Sequence, residues 1–273
     1  FGSLLIILSN FLGQIPLLLF INNQISEVND MSSIFNILGK NLSFFLILFP
    51  FLVSFISFIL IIKLIHNQSL TDLTTSRKRI DYKRIIFSFL FWSSIILTLF
   101  LAGYLINPKG YILNFKLLPF LTLFFISIIF IPFQASLEEY IFRGYLMQGF
   151  SVFFKNRIMP LLTTSIIFGF LHILNPEIQK IGYGLLIYYI GTGIFFGIVT
   201  LMDEGVELSS GFHASNNIVA SLLVTADWTA FETYSIFKFI GNPSFSKEVL
   251  LYVFIIYPLL QCRWRVTNLK LKS

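Results

Sequence analysis

The sequence predicts an all-α fold, a polytopic integral membrane bundle of about eight transmembrane helices, arranged as a single membrane domain over residues 1–273. Three observations predict it. Of the 273 residues 56% are hydrophobic, only 12% are charged, and Phe alone occurs 34 times. A soluble domain carries roughly 25% charged residues, so this composition cannot cover a water-facing surface of ordinary size. The apolar residues also gather in long runs, of the about 20 residues that cross a bilayer, rather than at amphipathic spacing. Finally, Lys and Arg sit in the short links between those runs, where they act as topology signals. The net charge of +6 is therefore no nucleic-acid footprint.

The first run, Ser3–Ile21, has no basic leader and no small-residue cleavage site, so it reads as a spanning helix and not a signal peptide. The chain opens on Phe1 rather than Met, and further residues are expected before it. Leu42–Ile65, Ile85–Ile106, Leu117–Ala135 and Ile181–Met202 are equally clear spans. Ile158–Leu174, Gly211–Val224 and Phe245–Cys262 are weaker, being short or interrupted by polar side chains. Thr229–Ile240 reads as an amphipathic or re-entrant piece. Gly193 and Gly197 stand in GxxxG spacing, which serves close helix packing. The single cysteine, Cys262, excludes an internal disulfide and a thiolate metal cluster. Twelve Lys and Arg residues, among them Arg77–Arg84, Arg157 and the tail from Arg263, fall on one side of this scheme and six on the other. That asymmetry places both termini in the cytoplasm, in a multi-pass protein of the plasma (inner) membrane.

Ionisable side chains within a membrane helix cost roughly 2.5–3.5 kcal/mol each and are functional by default. Three segments carry them. Ser136-Leu137-Glu138-Glu139-Tyr140-Ile141-Phe142-Arg143 follows an apolar helix without a breaker, Phe168-Gly169-Phe170-Leu171-His172 lies in the fifth run, and Gly211-Phe212-His213-Ala214-Ser215-Asn216-Asn217 opens the seventh. Glu139 and Arg143 are four apart, on one face, and can pair. Glu138 points about 100° away at about 3.6 residues per turn. One carboxylate can thus be neutralised structurally while the other stays available for chemistry. His213 and Asn217 also share a face. The basic link before Pro160 reads as a hairpin turn, and counting about 1.5 Å per residue from it brings Glu138 and His172 nearly level. Plainer roles serve the other polar groups: Asn10 and Gln14 as packing contacts, His66 as a solvated helix end, Tyr140 and Tyr145 as interfacial aromatics.

These residues resemble the CPBP family, the CaaX-protease and bacteriocin-processing (Abi) proteins, which include the type II CaaX prenyl endopeptidases, intramembrane glutamate proteases. The family's EExxxR motif looks like Glu138-Glu139 through Arg143, its FxxxH like Phe168 through His172, and its HxxxN like His213 through Asn217. The motifs occur in order, within a core of about residues 117–224. The resemblance implies that Glu138 and His172 activate the attacking water, that His213 and Asn217 form the oxyanion hole, and that Glu139, Arg143 and Phe168 support the site. It implies a membrane-anchored protein or peptide as substrate, with prenylated CaaX proteins the class that the family name gives. No cofactor is expected, because His213 and Asn217 look like oxyanion donors rather than metal ligands.

The chemistry stands on its own terms as well, since amide hydrolysis needs a base for water, donors for the oxyanion and an acid for the leaving amine. A zinc-dependent version is the nearest alternative, because two His and a Glu can hold Zn²⁺ with one position open to water. A transporter using the same polar groups, and a non-catalytic scaffold or bacteriocin-immunity protein, are the alternatives from other classes. HExxH, GxSG and GxGD sequences are absent.

Overall fold

The computed structural model describes residues 2–22, 31–242 and 252–258. Helix α1 (Gly2–Gly13) runs on into α2 (Ile15–Ile21), and α3 (Met31–Leu38) leads into the long α4 (Lys40–Leu64). The short α5 (Leu70–Thr74) is held by a reciprocal cap, in which the Ser69 hydroxyl accepts from the Asp72 amide and the Asp72 carboxylate accepts from the Ser69 amide. Then come α6 (Tyr82–Ile106) and α7 (Leu117–Glu139), the latter continued through a π-helical turn (Tyr140–Leu146) into α8 (Met147–Phe154). α9 (Ile158–Leu171), the short α10 (Pro176–Ile181), α11 (Leu186–Asp203) and α12 (Glu207–Leu223) complete the core.

Among the described residues, five helical segments are long and apolar enough to cross a membrane: Leu4–Ile21, Lys40–Leu64, Tyr82–Ile106, Leu117–Phe154 and Tyr183–Asp203. The all-α membrane class holds. Of the weaker runs, α9 has 14 residues and α12 has 17, and most of Phe245–Cys262 lies outside the described residues. α9 stops at Leu171, so His172 caps that helix and does not lie inside it. The chain turns there and Pro176 starts α10, where a missing amide proton is no loss. α12 starts at Glu207, four residues before Gly211, drawing part of the acidic link into the helix. Glu207 sits in its first turn, where a carboxylate faces the positive helix end.

Thr229–Ile240 is not helical. Phe237–Phe239 forms strand β3, which pairs antiparallel with β1 (Tyr111–Leu113) and parallel with β2 (Val224–Thr225), in the order β1-β3-β2. The reason is non-local: the Phe237 and Phe239 rings join Phe100, Tyr104 and Tyr111 in an aromatic cluster. This small sheet closes the bundle end where α6 and α12 finish. The opposite end is closed by charge. Arg77 bonds Glu207 and Asp203, Arg84 bonds Asp203, and Thr75 forms an antiparallel bridge with Gly205.

Helix α12 is the centre of the bundle. Glu207 through Ser215 are all buried, packed between α6, α7 and α11. A polar helix so enclosed must find its partners inside the protein. The GxxxG glycines do pack helices, since a Cβ on Gly193 would come within 3.0 Å of the Ser165 Cα on α9. Tyr140 is buried rather than interfacial, with its hydroxyl taking a hydrogen bond from Thr74. Tyr145 faces His66, its hydroxyl 3.2 Å from Nε2.

Candidate active site

The three polar segments converge on α7, α9 and α12. At the centre is Glu139, fully buried, whose Oε1 accepts from Arg143 Nη1 at 3.0 Å and stands 2.8 Å from His213 Nδ1. Arg143 also donates to the Gly193 carbonyl at 3.1 Å, so its charge is satisfied from α7 and α11 together. The rings of Phe168 and Phe196 cover its guanidinium at 4.6 and 5.4 Å. Such cation–π contacts strengthen when water is excluded.

Phe168 is the hub of the aromatic lining. Its ring meets Phe142, His172 and His213 as well as Arg143. On the far side, Phe196 stacks on His213 at 5.3 Å. His172 lies against Tyr189 at 4.3 Å between ring centres. Its Nδ1 is 2.8 Å from the Phe168 carbonyl, which can only accept, so Nδ1 carries the proton and Nε2 the lone pair. The same argument applies to His213, whose Nδ1 faces a carboxylate and therefore donates.

Glu138 is a different kind of carboxylate. Oε1 accepts from Gln134 Nε2 at 2.6 Å, while Oε2 is buried without a hydrogen-bond partner among the described residues. That oxygen stands 3.7 Å from His213 Nε2. The structure thus sets Glu138 opposite His213, places the Phe168 ring against both His213 and His172, and pairs Glu139 with Arg143. Asn217, one turn along α12 from His213, donates to Gln134 Oε1 at 2.9 Å.

Residues 118–219 match the family described as type II CAAX prenyl endopeptidase, Rce1-like. Every residue of the constellation falls within that stretch. This segment is similar to that family. The chain is also similar to the protein YyaK of Bacillus subtilis (strain 168), 29% identical over 167 residues, which are 61% of this chain. The match spans about half of that relative's length, 56%. No solved structure matches the chain.

Two members of the candidate site escape a reading by motif. Gln134 precedes Glu138 by one turn of α7, and Asn216 donates to Asn217 Oδ1 at 3.2 Å. Gln134 carried a signal, because a Gln four residues before an acid on a helix is placed to bond it. Beyond the bundle's core, Glu177 on α10 accepts from the Ala230 amide at 2.7 Å, pinning the loop before β3. Burial pushes the Glu177 carboxyl above its ordinary range. As for zinc, His213 Nδ1 is committed to Glu139 and His172 Nδ1 to a carbonyl, leaving two Nε2 atoms and Glu138 as donors. Among the described residues, no three His, Cys, Asp or Glu side chains converge as a metal-ligand set.

Proposed function

We propose that this protein is an intramembrane endopeptidase that hydrolyses a peptide bond of a membrane-associated, CaaX-type prenylated protein or peptide, with Glu138 as the base and without a metal. The observation that carries the reading is Glu138 Oε2: a buried carboxylate oxygen without a hydrogen-bond partner among the described residues, 3.7 Å from His213 Nε2, beside the Phe168 ring that meets both histidines. A buried acceptor left unbonded costs free energy and calls for a donor that arrives with the reaction.

The chemistry follows in order. A water between Glu138 Oε2 and the His172 Nε2 lone pair gives a proton to the carboxylate, and its oxygen attacks the carbonyl carbon of the scissile bond. The carbonyl π electrons move to oxygen. Asn217 commits one amide hydrogen to Gln134, and its second can meet the oxyanion. His213 turns its Nε2 edge towards Glu138, its ring held through Nδ1 by the Glu139 carboxylate. Collapse of the tetrahedral intermediate breaks the C–N bond, and Glu138 returns its proton to the leaving amine. Enclosing these steps among Phe168, Phe196 and Tyr189 keeps bulk water from competing for the donors. The cation count of twelve against six supports a site served from the cytoplasmic side, with both termini there.

The test is turnover of a fluorogenic farnesylated CaaX peptide by the purified protein, with and without chelator. Wild type should cleave it in both conditions, and Glu138→Gln should lower kcat by about 10²–10⁴-fold with its thermal midpoint retained. Stoichiometric zinc that disappears in His213→Ala would establish the metalloenzyme instead. No cleavage across prenylated and plain membrane peptides would overturn the protease reading in favour of transport or scaffolding.

A further inference from the structure

Beside the ion pair, the site holds a second network, in which three neutral amides link an indole to a carboxylate, and two of those amides, Asn216 and Gln134, belong to no motif. It starts on α6, where Trp92 Nε1 lies 3.5 Å from Asn216 Oδ1. It crosses to α12, where Asn216 Nδ2 donates to Asn217 Oδ1 at 3.2 Å. From there Asn217 Nδ2 donates to Gln134 Oε1 at 2.9 Å, and Gln134 Nε2 to Glu138 Oε1 at 2.6 Å, both on α7.

The ends of this chain determine its direction. An indole N–H can only donate and an ionised carboxylate can only accept. Each amide between them must therefore present its oxygen towards Trp92 and its nitrogen towards Glu138. A flip of any one would set two donors or two acceptors face to face at two contacts. Gln134 is 6% exposed, so water cannot readily relieve such a mismatch. Chains of hydrogen bonds in a low-dielectric interior also reinforce one another.

We infer that Gln134 is a positioning residue for the reaction, holding Glu138 Oε1 so that Oε2 alone is presented to the attacking water, and that Asn217 acts on the base through Gln134. This rests on the protease reading above. Without the Gln134 amide, Glu138 has free torsions about its side chain, and its two oxygens exchange places in the gap beside His213. A reacting group misplaced by about 1 Å costs on the order of 10²-fold in rate. Asn217 then has two duties carried by its two amide hydrogens, one towards the oxyanion and one towards Gln134.

The experiment is a kinetic double-mutant cycle on the purified full chain, with isotope-edited infrared spectroscopy of Glu carboxylates beside it. Gln134→Met keeps the length of the side chain and removes both polar atoms. It should lower kcat about 10- to 100-fold with KM and thermal midpoint little changed. Gln134→Glu, which keeps the acceptor for Asn217 but replaces the donor to Glu138, should lose as much and serves if the methionine variant folds poorly. Asn217→Ala should cost about tenfold less in the Gln134→Met background than in wild type, because part of its effect passes through Gln134. Fully multiplicative losses, or a Gln134→Met change confined to KM or to protein yield, would overturn the inference. In the infrared, the carboxylate band that Glu138→Gln abolishes should shift in Gln134→Met. A band that stays in place refutes the hydrogen bond whatever the kinetics. A shifted band without peptide cleavage by wild type refutes the protease reading and the catalytic role together, while leaving the bond itself established.

Discussion

Glu138 and Glu139 are chemically the same side chain, one residue apart, and the fold gives them opposite work. Glu139 Oε1 is held by Arg143 and His213 at once, whereas, among the described residues, Glu138 meets no cation of Arg or Lys and its Oε2 has no hydrogen-bond partner. Helical spacing alone anticipates the Glu139–Arg143 contact, because i and i+4 share a face. It could not anticipate the contact from Glu139 to His213, 74 residues away, whose depth depends on where α12 begins. Glu139 therefore supports the fold and orients His213, which the proposed reaction uses. Glu139→Gln should cost about 3–5 kcal/mol, the range for stranding one member of a buried pair. We expect a lower thermal midpoint in detergent and a lower yield, together with slower turnover by the fraction that folds. A variant with the wild-type midpoint and only a kinetic defect would show that Arg143 needs no partner.

At the scale of elements, what could be read was the apolar length of the long spans, since the bilayer alone sets it. What could not be read depended on partners. β3 is extended because β1 and β2 flank it, and its own residues would serve an amphipathic helix equally well. α12 was only half visible because its first turn is polar, and its burial derives from three surrounding helices. Gly211 shows how tightly it is held. A Cβ there would strike the Ile85 carbonyl oxygen and Ser88 Oγ on α6, and a backbone oxygen inside a helix cannot yield. Gly211→Ala should destabilise by about 1–3 kcal/mol through overpacking. Gly149→Ala, inside α8 with nothing within 4 Å of the added carbon, is the control and should hold or raise the melting temperature, since Ala favours a helix over Gly by about 1 kcal/mol. Equal melting temperatures for the two variants would show that α6 and α12 can separate at little cost.

Across the whole molecule, one end is tied by strands and aromatic rings and the other by Arg77, Arg84, Asp203 and Glu207. Both ties, and the site between them, join residues before 144 to residues beyond 200. The pairing of Arg143 with Glu139 inside a single helix therefore matters before the fold exists. Protein synthesis adds about 5–20 residues per second, so His213 follows Glu139 from the ribosome by about 4–15 s. Throughout that interval α7 must enter the bilayer with its carboxylates and no histidine to meet them. An arginine one turn away travels with Glu139 and shields it from the first moment. The ion pair is thus a provision for biosynthesis as much as for the finished site. In coupled translation and membrane insertion, with glycosylation tags reporting the position of the segment, Glu139→Gln and Arg143→Gln should each insert less completely than the native chain. The doubly substituted chain, having no charge stranded by a missing partner, should insert better than either single variant.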